Sequence, residues 1–229
     1  MIILGVETST PVSSVALRRD TRTLASATHA ETRRHVEFLM PAIRDLLAQA
    51  TLTVDDLDAL AVGIGPGQFT GMRAGIATMK ALALALGIPL AGVPTLDVLA
   101  WPARDHPGPV CATIDAKRGQ IFAAFYRGGT PTGEIMTLDP AELVVEESTL
   151  VVGNGAAVPP TFPSAEDVCE IGARRIGSGD TIAAVQIEPL YVRRSDAEIN
   201  WDARGVTIER PMRVKPAKHI VERAAEERP

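Results

Sequence analysis

Three groups of residues in this 229-residue chain are of types that could do chemistry. The first is Gly63-Ile-Gly-Pro-Gly-Gln-Phe-Thr-Gly71. Its glycines let the backbone turn sharply and approach a ligand closely. A helix starting at Thr70 would offer its free amides to an anion. Gly65 and Gly67 therefore suit a phosphate site, and equally a tight strand-to-helix turn with packing glycines. No Gly-Lys-Ser/Thr follows and the Gly-x-Gly-x-x-Gly spacing is missing, so this is neither a P-loop nor a dinucleotide fingerprint. The second group is Glu7-Thr8-Ser9-Thr10. A carboxylate with three hydroxyls could hold a metal–phosphate or orient a water, or simply make a polar hairpin turn. The third is the histidines and cysteines. His29 and His35 are six apart, whereas a helical metal pair needs three or four. Cys111 and Cys169 stand in no metal spacing and form no disulfide framework. There is no Gly-x-Ser-x-Gly elbow. The residues propose no catalytic set and no metal site.

Composition narrows the class. Hydrophobic residues make up 46% of the chain and charged residues 22%, which is a globular balance and excludes wholesale disorder. Aromatics are only 4%, so the core must be aliphatic. The net charge of -5 argues against a stand-alone nucleic-acid binder. Charge is uneven: residues 193–229 carry nine Lys/Arg and seven Asp/Glu, against fourteen and twenty-one in residues 1–192. Arg210, Arg213, Lys215 and Lys218 could touch RNA phosphates or lie solvated. The N-terminus has no basic region ahead of its apolar run, so no signal peptide is expected. The apolar uncharged run over residues 81–96 is too short to span a bilayer and contains Pro89 and Pro94. A cytoplasmic protein with reduced thiols follows, with no membrane partner.

The groups must be held by regular elements. Residues 2–6, 12–18 and 23–28 read as strands joined by polar turns. A helix over 33–50 carries Val36, Leu39, Met40, Ile43, Leu46 and Leu47 on one stripe. A strand over 58–64 leads into the glycine turn and a helix over 70–86, which Gly87 and Pro89 stop. Residues 90–93 form a strand, and Thr95 is a suitable N-cap for a short helix to Ala100. Residues 101–109, with three prolines, read as a linker. Strands over 110–115, 120–127, 134–138 and 149–152 and a helix over 164–176 follow. The order calls for mixed sheets with helices on their faces. The second half opens as the first does, with strand, turn and strand, which suggests a duplication. Three segments result: 1–100, 101–195 and a charged tail over 196–229.

The 70–86 helix is apolar nearly all round. Met72, Ile76, Met79, Leu82, Leu84 and Leu86 are interleaved with alanines, and only Arg73, Thr78 and Lys80 are notably polar. Such a helix is covered on more than one side, either within the chain or by another chain.

Five stretches together resemble one family: Gly5-Val-Glu-Thr-Ser-Thr10, Arg33-Arg-His35, Gly63 to Gly75, Ile114-Asp-Ala-Lys-Arg-Gly-Gln-Ile121 and Pro189-Leu-Tyr-Val-Arg193. Over about residues 1–195 the chain is similar to the TsaB (YeaZ-like) family, the dimerisation subunits of bacterial tRNA threonylcarbamoyladenosine biosynthesis. The resemblance implies the actin-like ATPase/sugar-kinase fold (ribonuclease H-like), an α/β fold of two duplicated lobes with mixed sheets and flanking helices. It implies a non-catalytic scaffold that pairs with a catalytic paralogue, TsaD, which transfers threonylcarbamoyl to adenosine of ANN-decoding tRNAs. TsaD carries a helical His-x-x-x-His metal pair. Here only His35 matches it, with Glu31 and Leu39 at the flanking positions. Pairing through the two N-lobe helices implies an interface of His35, Val36, Leu39, Met40, Ile43, Met72, Arg73, Ile76, Met79, Lys80, Leu82 and Ala83. The same helices offer a homodimer in isolation. A TsaE-type ATPase joins the complex, and tRNA is met through it. The chain needs no cofactor of its own. Glu7, Thr8, Ser9, Gly65 and Gly67 are the candidates for contact with ATP or ADP and magnesium at the complex interface. Glu7 stands where the family commonly has Asp, and Gln68 where it commonly has Ser. A small-molecule kinase or ATPase of the same superfamily is the alternative, and a metallopeptidase a remote one. Aspartate at Met79 or Leu39 is expected to abolish pairing and spare the fold if those side chains face outward.

Overall fold

The computed structural model describes residues 1–30, 35–156, 159–180 and 183–192, with residues 35 and 36 described for backbone only. The tail expected over 196–229 lies outside the described residues.

β1 (Ile2–Glu7), β2 (Ser13–Arg19) and β3 (Arg22–His29) form the expected antiparallel meander. β4 (Ala59–Gly65) and β5 (Leu90–Pro94) add to it in parallel, giving the order β3-β2-β1-β4-β5. α1 (His35–Gln49) and α2 (Phe69–Leu86) lie on one face of this sheet. Gly87 ends α2 in a left-handed conformation (φ 67°), and its amide donates to the Ala83 carbonyl.

Side-chain size sorts the two faces of the sheet. Leu4, Val6, Val15, Leu17, Leu60 and Val62 point toward α1 and α2. Their neighbours Ile3, Ala16, Ala59 and Ala61 point the other way, at the two-residue period of a strand. That mostly small-residue face lets α4 (Ala165–Gly177) come very close. A Cβ on Gly172 would lie 2.5 Å from the Ala61 Cβ. Ser164 caps α4, its hydroxyl accepting from the Asp167 amide at 3.1 Å. Gly172→Val is expected to destabilise by about 1–3 kcal/mol through overpacking. A lower urea midpoint with unchanged slope would register it; an unchanged midpoint would mean α4 can ride away from the sheet.

The second sheet repeats the first. β6 (Val110–Lys117), β7 (Gln120–Arg127) and β8 (Thr130–Pro131) run antiparallel in turn. β10 (Leu150–Gly153) lies parallel to β6, and β9 (Met136–Leu138) also pairs with β7. The order β8-β7-β6-β10 matches β3-β2-β1-β4 in sequence and in strand direction. The mixed α/β architecture with duplicated sheets is therefore present.

α3 (Thr95–Ala100) joins the halves, packing on β6. Tyr126 on β7 donates to Asp97 on α3 at 2.9 Å, and Arg175 on α4 pairs with the same carboxylate at 3.1 Å. α4 follows the second sheet in sequence yet packs on the first. Two expectations need correction. The strand expected over 134–138 is confined to Met136–Leu138. Thr95 does not cap α3: Pro94 occupies that position, and the Thr95 hydroxyl is engaged elsewhere.

Candidate functional site: a buried carboxylate beneath a helix pair

β1 ends in Glu7, and the turn after it runs under the start of α2. Glu7, Thr8 and Ser9 are completely buried. The Ser9 amide and hydroxyl both donate to Glu7 Oε1, at 2.6 and 2.5 Å. Glu7 Oε2 is buried with no hydrogen-bond partner. Burial pushes the Glu7 carboxyl up to about 7, against the hydrogen bonds from Ser9 and Thr8 that pull it down.

The glycines of the 63–75 stretch exist for this turn. A Cβ on Gly63 would overlap the Glu7 carboxylate, one on Gly67 the Ser9 carbonyl, and one on Gly75 the Thr8 hydroxyl. The Gln68 amide donates to the Ser9 carbonyl at 2.6 Å, and the Thr8 hydroxyl to the Gly71 carbonyl at 2.8 Å. The packing reading of the glycines is the one the geometry bears out. As arranged, Glu7, Thr8, Ser9, Gly65 and Gly67 do not fit a nucleotide with magnesium: the carboxylate has no exposed edge, and the backbone that would approach a phosphate abuts the β1 turn. Among the described residues no three His, Cys, Asp or Glu gather to hold a metal ion, and no helix is long and apolar enough to cross a membrane.

The residues expected at a partner interface divide by face. His35 and Val36 open α1, their side chains outside the described residues. Leu39, Ile43, Met72, Ile76, Met79 and Ala83 point into the core, Met79 with no exposed surface at all. This corrects the interface expectation for Leu39, Met72, Ile76, Met79 and Ala83: those positions fill the layer between helices and sheet and cannot touch a partner while it is packed, whereas Ile43 also reaches the wall of a groove on the outer side. Met40 points outward, 53% exposed. Leu82 is half-buried and, with Met40, Ile43, Leu47, Leu52 and Val54, lines an apolar groove of about 310 Å³. Lys80 reaches the Val185 and Ile187 carbonyls, both at 2.9 Å, and so fastens the segment beyond α4 to α2. Arg73 is exposed; its Nε donates to the Tyr191 hydroxyl at 2.7 Å and its guanidinium lies 3.9 Å over the Phe69 ring.

The outward stripe of α2 is thus Arg73, Ala77, Ala81, Leu84 and Ala85, with Leu84 59% exposed. Sequence reasoning missed this stripe because it weighed hydrophobicity alone. The signal was size: the bulky residues recur on the inner face and the alanines at 77, 81 and 85 on the outer. Thr95 was missed for a different reason, since nothing local to it shows a partner 86 residues away.

A family model described as TsaD: tRNA N6-adenosine threonylcarbamoyltransferase matches residues 22–153. The tRNA threonylcarbamoyladenosine biosynthesis protein TsaB of Escherichia coli is 34% identical, the match covering 86% of this chain and 96% of that protein. The protein of the same name from Bacillus subtilis is 31% identical, with 88% and 98% covered. Among solved structures, YeaZ from Pseudomonas aeruginosa superposes with a TM-score of 0.73 at 30% identity, covering 83% of this chain and all of that one. A further Pseudomonas aeruginosa structure, described as similar to peptidase YEAZ, gives 0.76 at 30% identity, with 84% and 99% covered.

Proposed function

The chain belongs to the TsaB family, and from that membership we propose that it serves tRNA threonylcarbamoyladenosine biosynthesis in the cytoplasm as a scaffold subunit without chemistry of its own. It pairs with a catalytic paralogue of the TsaD type, which makes the transfer to adenosine. A TsaE-type ATPase joins the pair, any ATP or ADP is held where subunits meet, and tRNA is engaged by the assembly. Without such a partner the same face supports a homodimer.

One observation carries the reading: the outward stripe of α2 presents Ala77, Ala81, Leu84 and Ala85 to solvent with no acidic residue. Small residues let a second helix approach closely, and an exposed apolar face beside the apolar groove lined by Met40 and Leu82 marks an interaction surface. The closed Glu7 turn supports a role without nucleotide chemistry in the isolated chain.

Leu84→Asp tests it. The side chain is exposed, so stability should change by no more than about 0.5 kcal/mol. Placed in an apolar interface, the charge should weaken pairing at least about 100-fold, on the scale of an interface hot spot. Size-exclusion chromatography with the TsaD-type paralogue should show co-elution for the wild type and none for the variant. In cells relying on the variant, tRNA should lose threonylcarbamoyladenosine while the threonylcarbamoyl-adenylate precursor persists. A folded variant that still co-elutes would rule out this face.

A further inference from the structure

We propose that Thr95 is a positioning residue for partner pairing: from inside the molecule, its hydroxyl fixes the entry of α2 against the β1 turn and so sets the presented face. The inference rests on the pairing reading above.

The hydrogen bonds have one consistent direction. The Ser9 hydroxyl donates to Glu7 Oε1 at 2.5 Å, so its oxygen is left to accept. The donor is the Thr95 hydroxyl, 2.7 Å away. Thr95 Oγ1 in turn accepts from the Gly65 amide at 3.1 Å. A chain of donors therefore runs from Gly65, at the end of β4, through Thr95 and Ser9 to the buried carboxylate. Every member is fully buried, so no water stands ready to replace a lost partner.

The connections give this chain its leverage. Ser9 also accepts from the Gln68 amide, and Thr8 donates to the Gly71 carbonyl. Residues 8 and 9 thus hold both the approach to α2 and its first turn. Thr95 secures Ser9 and Gly65 at once, and it opens the helix that packs on the second sheet. The docking helix is therefore referenced to both sheets through a single hydroxyl. A threonine that capped its own helix could not do this; Pro94 holds the cap position, and the Thr95 side chain is committed to residues 30 and 86 positions away.

Thr95→Val keeps the shape but removes donor and acceptor. Calorimetry with the TsaD-type paralogue, well below the unfolding temperature, should show at least a tenfold weaker Kd, with Thr95→Ser within about twofold of wild type. Val168→Ala, in the core on the opposite face of the first sheet, serves as the control for lost stability alone and should leave Kd unchanged. In the isolated chain, amide exchange over residues 65–72 should speed up at least tenfold in Thr95→Val and not in Val168→Ala. Equal Kd losses in both variants, or none in Thr95→Val, would overturn the positioning role. Should Thr95→Val fail to fold, Thr95→Cys, a weak donor of similar size, is judged by the same criteria. If the wild type does not pair with the paralogue, the pairing reading fails, and unchanged exchange at 65–72 would separately overturn the positioning.

Discussion

Glu7→Gln should make the protein more stable at pH 8 and remove most of the fall in stability between pH 5 and 8. The folded-state value of about 7 stands against 4.5 for an ordinary glutamate. Between those values the folded chain holds a proton that the unfolded chain has released. Stability from this group is complete below about pH 4.5, and it is lost as pH rises through 7, by about 3 kcal/mol in all. Glutamine cannot ionise, still accepts from Ser9, and carries no charge where Oε2 is buried without a partner. Asp97 and Asp167 are also raised, chiefly by burial, so they slope the same way at more acidic pH; the difference between wild type and variant isolates Glu7. Urea unfolding at a series of pH values measures it. Parallel profiles for the two proteins would mean that the Glu7 carboxylate is solvated after all.

Met79→Asp is expected to cost more than about 4 kcal/mol and to leave little folded protein. A carboxylate here enters an aliphatic layer that includes Leu4, Val6, Ile43 and Ile76. An unpaired buried charge is among the most destabilising of single changes, and a typical domain has only about 5–15 kcal/mol to lose. Met79→Leu, which conserves volume, should cost less than about 1.5 kcal/mol. Circular dichroism and soluble yield of the two variants check this. A folded, monomeric Met79→Asp would place that side chain outside. The contrast with Leu84→Asp, five residues on in the same helix, is the sharpest available: one aspartate should abolish the fold, the other only the partnership.

How far such outcomes can be read from the amino-acid order depends on range. The meander, the two long helices, the Gly87 stop and the repeated strand–turn–strand opening all rest on local chemistry, and each is present. The inner face of α2 was harder, because methionine, leucine and alanine all count as apolar; only the sheet beneath shows that Met72, Ile76 and Met79 are needed as filling. Glu7 illustrates a second limit. A carboxylate beside three hydroxyls suggests a ligand site, and only the close approach of Gly63 shows it is enclosed. Thr95 illustrates the third: composition assigns it a cap, whereas its partners come from β4 and the β1 turn.

The position of α4 also bears on how the chain is made. The first sheet is composed by residue 94, but the face of Ile3, Ala16, Ala59 and Ala61 is covered only in part, by Val98 of α3 and Trp101, until residues 165–177 have been synthesised. Contacts so distant in sequence form late, after the loop-closure entropy has been met. During translation an apolar surface of alanine and isoleucine therefore waits while the whole second sheet is added. A chain stopped before residue 165 would carry every described strand of both sheets and still leave most of one face of its oldest sheet bare, a form suited to capture by chaperones and prone to self-association.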